Sequence, residues 1–258
     1  MDGSIDIDGV RLEIRRENAS AQGDRAPLVF LHEGLGSVAM WRDWPARVCR
    51  ETGRAGVVYS RRGYGASDAV PQVRGAGRLT PDYMHREAWE VLPRLLAALG
   101  IERPVLVGHS DGGSIALLHA SRHPVAACIV MAPHVIVEDV SVRSIEQARD
   151  AFEGAGLRER LARFHADVDG AFWQWNDVWL SEAFRGFDIR PDCRRIAAPV
   201  LAIQGVQDPY GTLRQIEEIA PTAGPMKTLV VPDCGHSPHR DQPDAVTRAI
   251  ADFLAGKD

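Results

Sequence analysis

The chain has no long hydrophobic run: within its 258 residues, no apolar stretch approaches the roughly 20 residues that a membrane-spanning helix needs. The first six residues, Met1 to Asp6, contain neither a basic start nor an apolar segment, which argues against a standard secretion signal. From these two absences we expect no membrane association and a cytoplasmic location.

Cysteine is scarce, and its spacing is uninformative. The four cysteines, Cys49, Cys128, Cys193 and Cys234, are scattered along the chain without a C-x-x-C pair. A disulfide framework or a structural zinc site normally shows a closer and more regular spacing. We therefore expect four buried free thiols.

Positive charge is not in excess either. Lysine and arginine number 30 against 35 acidic residues, so the formal net charge is -5, and the sequence shows no basic patch. This balance disfavours nucleic acid and anionic membranes as partners. Because the chain also lacks a G-x-G-x-x-G element and a P-loop, no nucleotide cofactor is predicted, and none of any kind is expected. The oligomeric state stays open.

Buried-type strands alternate with helices along most of the chain, the pattern of an α/β fold with a mostly parallel sheet covered on both faces. A hairpin around Asp8-Gly9 precedes this alternation. One long helix, from Thr80 to Gly100, is interrupted by Pro93, which should kink or divide it. The predicted core strands are Leu28 to Leu31, Gly56 to Tyr59, Val105 to Val107, Cys128 to Met131, Val200 to Ile203 and Thr228 to Val231, and further helices are expected near Trp41 to Arg50 and at Pro243 to Leu254.

The most specific motif is G-x-S-x-G, read as Gly108-His109-Ser110-Asp111-Gly112. It follows a buried strand and precedes a helical segment, so Ser110 is predicted at a sharp turn between the two. Glycines at 108 and 112 let the strand and helix backbones pass closely. Such a turn holds a serine hydroxyl in the open, where a neighbouring base can activate it.

Two further residue types that a serine nucleophile requires occur downstream, in the order acid and then histidine. Asp208 follows the strand that ends near Gly205, and His236 follows the strand that ends at Val231. Because parallel strands end at one edge of a sheet, both side chains are expected near Ser110. The loop His32-Glu33-Gly34, after the first core strand, can offer a backbone N–H to an oxyanion.

From about His32 to the last helix, these elements resemble the α/β-hydrolase superfamily. The resemblance implies that Ser110 is the nucleophile, that His236 is the general base, and that Asp208 orients it. The backbone N–H groups of Gly34 and Asp111 would then form the oxyanion hole. Two residues depart from the family pattern: Glu33 stands where many relatives have glycine, and Asp111 stands where an apolar residue is usual.

Several residue roles stay open at this stage. Asp139 or Glu138, after the strand that ends near Met131, is the rival for the acid. His32 is expected to brace the oxyanion loop rather than to exchange protons. The neighbouring arginines are expected to be structural, with a substrate anion as the rarer partner; they are Arg61 and Arg62.

A zinc site is the least favoured of the sites weighed from the sequence. Its only candidate ligands would be His236, His239 and Asp241, without a matching cluster elsewhere in the chain. His239 is expected either at the surface or in a layer behind the site.

Between Met131 and Pro199 the alternation stops, and the chain turns helical and aromatic. We predict a helical cap over residues 135–194, inserted in a core domain made of residues 1–134 and 195–258. Helices are expected at Ser144 to Gly154 and Leu157 to His165. Three tryptophans of this cap are candidate substrate contacts; they are Trp173, Trp175 and Trp179.

The function that follows from the resemblance is hydrolysis of a small carboxylic ester through a serine acyl-enzyme. Lactones, acyl-CoA thioesters and carbon–carbon bonds are cleaved by the same machinery and stay open as substrates. A ligand-binding receptor with weak turnover stays open as well, as does a cofactor-free haloperoxidase or perhydrolase. Dehalogenase and epoxide hydrolase chemistry is disfavoured, because those relatives carry aspartate where this chain has Ser110.

Overall fold

The computed structural model describes residues 2–18 and 25–256, and it contains one eight-stranded sheet. The strand order is β1-β2-β4-β3-β5-β6-β7-β8; β1 and β2 run antiparallel to their neighbours, and β3 to β8 are parallel. The predicted α/β fold is confirmed. The strands are β1 Asp2–Ile7, β2 Val10–Glu17, β3 Leu28–Leu31, β4 Gly56–Tyr59, β5 Val105–His109, β6 Ala127–Met131, β7 Val200–Gly205 and β8 Met226–Val231.

Helices cover both faces of the sheet. The core side chains of the central strands alternate between two hydrophobic clusters: Val29 and Leu31 join one, and Leu28 and Phe30 join the other. This alternation explains why these strands are apolar throughout. The α-helices are α1 Trp44–Thr52, α2 Tyr83–Arg86, α3 Leu92–Leu99, α4 Asp111–Ala120, α5 Asp139–Gly154, α6 Leu157–Leu161, α7 Val168–Trp179, α8 Arg190–Cys193, α9 Arg214–Glu217, α10 Pro238–Asp241 and α11 Pro243–Leu254.

Local sequence signals account for several element boundaries. Asp8 and Gly9, both with positive φ, form the two-residue turn of the predicted hairpin. The predicted division of the helix before Gly100 is confirmed: a π-helical turn at Glu87–Val91 separates α2 from α3, and Pro93 lies in the first turn of α3. The helix expected from Trp41 begins later, at Trp44, because a short 3₁₀ turn precedes it.

The four cysteines are free and buried, as the sequence predicts. None of the helices in the described part of the chain is both long and apolar enough to cross a membrane.

The segment between β6 and β7 is helical, and its helices contribute one wall of a cavity at the carboxyl edge of the sheet. An antiparallel bridge between Ile136 and Asp188 joins the two ends of this segment. Helix α5 begins at Asp139 rather than at Ser144, and α6 ends at Leu161 rather than at His165. That residues 135–194 form a separate cap domain stays a prediction.

The crossing of β5, α4 and β3 depends on two glycines. A Cβ on Gly108 would overlap the backbone carbonyl of Gly112, and a Cβ on Gly112 would overlap the carbonyl of Leu31. Backbone atoms cannot move aside as flexible side chains can. The strand and the helix therefore approach this closely only because both positions lack a side chain.

We expect Gly112→Ala to lower the free energy of unfolding by about 3 kcal/mol, because the new methyl group forces packed backbones apart. Gly154→Ala is the matched control: it lies at the end of α5, and a Cβ added there would meet open space, so it should leave stability unchanged or raise it slightly. Urea unfolding followed by circular dichroism measures both. Equal stability of the two variants would contradict the required close approach.

Candidate active site

Ser110 lies at the turn between β5 and α4, where it is the residue that precedes the first helical position. Its φ of 52° and ψ of -121° are a backbone conformation that side chains rarely adopt. The Ser110 hydroxyl donates to Nε2 of His236, with an Oγ–Nε2 distance of 2.9 Å. The turn thus directs the hydroxyl toward a histidine that is 126 residues away in the chain.

Asp208 holds the other side of the His236 ring. The Nδ1–H of His236 donates to the Asp208 carboxylate, with distances of 2.8 and 2.9 Å to its two oxygens. The same carboxylate accepts from the Gln204 side-chain amide at 2.7 Å and from the Tyr210 N–H at 2.8 Å. Burial, the largest single influence, opposes ionisation of Asp208, but the hydrogen bond and the charge of His236, together with the Tyr210 N–H, outweigh it and lower the pKa of the carboxyl.

The rival acids lie elsewhere. Glu138 accepts hydrogen bonds from Thr212 and Gln215, and the exposed Asp139 lies 3.6 Å from Arg185. Neither carboxylate contacts His236. Of the acids weighed from the sequence, the structure brings Asp208 to the histidine.

The two predicted oxyanion donors also lie at this site. Gly34 and Asp111 line the same cavity as Ser110. Among the described residues, no acceptor takes a hydrogen bond from the backbone N–H of either residue. The indole of Trp175 packs directly on Gly34, so closely that a Cβ there would overlap its Nε1. Both N–H groups are therefore free to bind an oxygen that enters the cavity.

The side chain of Asp111 is hydrogen bonded to Tyr83. The Tyr83 hydroxyl donates to its carboxylate, and the Trp179 indole N–H donates in turn to the Tyr83 oxygen at 3.0 Å. Burial is the main influence on this group and raises the pKa of Asp111. A raised pKa makes a full negative charge beside Ser110 less favourable, so this departure from the family pattern is compatible with an oxyanion at the site.

Glu33, the second departure from the family pattern, contacts a second histidine. Its Oε2 lies 3.4 Å from Nδ1 of His109, while the Nε2–H of His109 donates to the His236 carbonyl at 2.6 Å. Burial opposes ionisation of Glu33, but the contact with His109 outweighs it and holds the pKa of the carboxyl well below its ordinary value.

His32 and Arg61 hold the backbone of the loop that carries Gly34 through hydrogen bonds. His32 is fully buried; its Nδ1–H donates to the Glu33 carbonyl at 2.6 Å, and its Nε2 accepts from the Arg61 N–H at 3.0 Å. The Arg61 guanidinium donates to the carbonyls of His32 and Glu33. Arg61 is therefore structural, as expected, and the exposed Arg62 does not line the cavity.

The cavity above Ser110 has a volume of about 200 Å³, and aromatic side chains form much of its wall. Trp175 and Trp179 line it, as the sequence predicts, but Trp173 does not. Trp175 and Trp179 are four residues apart on one face of α7, whereas Trp173 lies on another face, with its ring 4.0 Å from the Arg74 guanidinium. The prediction that Trp173 contacts substrate in this pocket is wrong.

Sequence reasoning missed several lining residues, among them His134, Ile145 and Tyr210. His134 follows β6, so its position at the carboxyl edge of the sheet was a usable signal. Burial lowers the pKa of its imidazole to about 3, which makes it a neutral group in the cavity wall. Tyr210, two residues after Asp208, packs its ring 4.7 Å from the His236 ring.

The residues considered for zinc are engaged otherwise. Both ring nitrogens of His236 are hydrogen bonded, and Asp241 accepts from the Gly235 N–H at 2.8 Å. His239 is buried, not at the surface, and packs against the rings of Trp41 and Trp44. In residues 2–18 and 25–256, no group of three or more acidic, histidine or cysteine side chains could hold a metal ion.

The chain is similar to known proteins along most of its length. The chain is 28% identical to the putative carbamate hydrolase RutD of a Caulobacter species, over 97% of each chain. It is 26% identical to the sn-1-specific diacylglycerol lipase of Mus musculus, over 88% of this chain and 80% of the lipase. The crystal structure of the enol-lactonase of Burkholderia xenovorans superposes with a TM-score of 0.75 at 23% identity, over 98% of this chain and 100% of the lactonase.

The sequence model of the alpha/beta hydrolase family matches residues 28–249, which span β3 to the middle of the last helix. This range includes the serine turn, the Asp208 and His236 loops and the loop that carries Gly34. With the family model matching most of its length and the same fold in its structural relatives, the chain belongs to the α/β-hydrolase family.

Proposed function

We propose that this chain hydrolyses small carboxylic esters through a covalent intermediate on Ser110. The observation that carries the proposal is the continuous hydrogen-bonded array from Ser110 Oγ to His236, at 2.9 Å, and from His236 to Asp208, at 2.8 Å. A serine at this turn favours acyl transfer over epoxide opening, although an epoxide hydrolase of Xenopus tropicalis is among its relatives, at 24% identity.

In the proposed reaction, His236 takes the proton of Ser110 while Oγ attacks the acyl carbonyl carbon. The carbonyl oxygen becomes an oxyanion, which the N–H groups of Gly34 and Asp111 bind. His236 then gives its proton to the leaving alcohol as the carbon–oxygen bond breaks. A water molecule attacks the acyl-enzyme with His236 again as base, and the acid leaves with Ser110 restored.

Asp208 supports this role because it fixes the tautomer of His236. The Nδ1–H points at the carboxylate, so Nε2 is left to accept from the serine. When the ring gains a second proton, the buried carboxylate stabilises the resulting positive charge. Gln204 and the Tyr210 N–H keep the carboxylate in place.

The contact between Glu33 and His109 supports the position of His236. His109 donates to the backbone carbonyl of His236, and Glu33 belongs to the loop that also carries Gly34. One buried pair thus connects the loop of the oxyanion donor to the loop of the base. We propose that Glu33 and His109 are positioning residues.

We expect Ser110→Ala to reduce kcat/KM for p-nitrophenyl butyrate by at least about 10,000-fold, because it removes the covalent route. Asp208→Asn should cost on the order of 10,000-fold through the wrong tautomer of His236. Stopped assays at pH 7.5 and labelling with a fluorophosphonate measure both effects. Ser121→Ala, at the other end of α4, should retain activity and labelling. Full activity of Ser110→Ala would refute the serine route.

We expect Glu33→Gln to lower the free energy of unfolding at pH 7 by about 3 kcal/mol, because it removes the ionised carboxylate that lies 3.4 Å from His109. The pKa of Glu33 is lowered in the folded chain, so its stabilisation is present above the unfolded value of roughly 4.3 and is lost as the pH falls toward the folded value. Urea titrations at pH 7 and pH 4 should therefore show a smaller difference from wild type at the lower pH.

The exposed Glu153→Gln is the control for this prediction and should match wild type at both pH values. A Glu33→Gln variant as stable as wild type at pH 7 would contradict the proposed pair. If the difference in unfolding free energy between Glu33→Gln and wild type grows as the pH falls, the pKa of Glu33 is not lowered in the folded chain, contrary to this prediction.

We expect esters with short acyl chains to be hydrolysed fastest, because the cavity is only about 200 Å³ in volume and the bulky side chains of Ile145, Trp175 and Trp179 line it. Ile145→Ala should enlarge the cavity and move the optimum of a p-nitrophenyl ester series to longer acyl chains. Val142→Ala, which is buried on the same helix but does not line the cavity, should leave the optimum unchanged. The same optimum in all three proteins would show that the acyl group binds elsewhere.

A further inference from the structure

A groove of about 260 Å³, separate from the Ser110 cavity, has a lining rich in arginine. Four arginines and four apolar side chains line it, without an acidic residue: Arg42, Arg160, Arg163, Arg240, Met40, Leu157, Leu161 and Phe164. The whole chain has a net charge of -5, so this concentration of positive charge runs against its overall balance. The expectation from the sequence, that the chain has no basic patch, is wrong.

The arginines of this groove have no carboxylate partners. In the part of the chain that the structure describes, no acidic oxygen lies within 4.0 Å of any of the four guanidinium groups. The guanidinium groups of Arg160 and Arg163 each donate to a backbone carbonyl at 3.4 Å, and that of Arg163 also lies 5.8 Å from the centroid of the Phe164 ring. Arg158, on the same short helix, is instead paired with Asp169 at 2.6 Å. Like charges gathered without counter-charges repel each other, and a bound anion relieves that repulsion.

The groove adjoins the wall of the cavity at two points. The Arg240 N–H donates to the carbonyl of Ser237 at 2.8 Å, and Ser237 lines the cavity. His165, the residue after Phe164, donates from Nε2 to the carbonyl of Leu35 at 3.0 Å, and Leu35 also lines the cavity. These two contacts place the groove next to the wall of the Ser110 cavity.

The chemistry of the lining selects the class of ligand. Guanidinium groups match the oxygens of a phosphate group in geometry and charge, and apolar side chains between them favour an alkyl segment. If the acyl part of a substrate occupies the small cavity at Ser110, its leaving group extends outward from that cavity. The groove therefore suits a leaving group that joins an apolar chain to a phosphate.

Resting on the ester-hydrolase function proposed above, we infer that the groove binds the phosphate of the leaving group, so that the substrates are acyl esters or thioesters of phosphorylated alcohols or thiols. The phosphate takes no part in bond changes. The acyl carbon–oxygen or carbon–sulfur bond breaks, His236 protonates the leaving atom, and the phosphorylated alcohol or thiol departs intact.

Calorimetric titration of the full chain with phosphopantetheine and with pantetheine tests this inference, because the two thiols differ by one phosphate group. We expect phosphopantetheine to bind at least roughly tenfold more tightly than pantetheine. The double variant Arg160→Glu/Arg163→Glu should lose that preference. The variant Arg103→Glu/Arg248→Glu makes the same change of charge at exposed arginines outside the groove and should keep it.

Three results would overturn the inference: equal or undetectable binding of the two thiols, an equal loss in both double variants, or inorganic phosphate that binds as tightly as phosphopantetheine. Hydrolysis of p-nitrophenyl butyrate by the groove variant separates the two proposals, since this neutral ester should be hydrolysed as fast as by wild type. If wild type binds phosphopantetheine as expected but hydrolyses no ester and takes no fluorophosphonate label, the leaving-group role falls with the proposed function, while the phosphate site stands.

Discussion

The site depends on one steric constraint, the contact of three backbones where β3, β5 and α4 cross. Gly108 and Gly112 permit that contact, and it forces Ser110 into a conformation with positive φ. Because a helix begins directly after Ser110, the first backbone N–H groups of α4 have no partner within the helix. The strained conformation of Ser110 and the unpaired N–H of Asp111 beside it thus both arise where the strand turns into the helix.

Two contacts between a carboxylate and a histidine connect the loops around Ser110. The buried carboxylate of Asp208 and the partly buried carboxylate of Glu33 each contact a different histidine, and the two histidines are joined by the hydrogen bond from His109 to the His236 carbonyl. A buried carboxylate is costly without such a partner. The two pairs therefore stabilise the loops after β3, β7 and β8 against each other, and Ser110 lies between them.

Much of this arrangement could be predicted from the sequence, because Ser110, Asp208 and His236 each follow a strand and parallel strands end at one edge. What failed depended on side-chain direction or on contacts between distant segments. Trp173 and Trp175 lie on different faces of α7, and the sequence pattern did not show where that helix begins or which of its faces meets the cavity. The arginine groove joins three separate segments of the chain, and no local pattern in the sequence indicated that they meet.

The contact between Trp175 and Gly34 has a mechanical consequence. The indole belongs to the helical segment between β6 and β7, while the glycine belongs to the loop after β3, so the two cannot separate without uncovering Gly34, whose N–H we propose as an oxyanion donor. Any outward swing of this segment to admit a substrate would wet that N–H, and its return would dry it. Such a movement would therefore couple the opening of the cavity to the solvation of the N–H that we propose as an oxyanion donor.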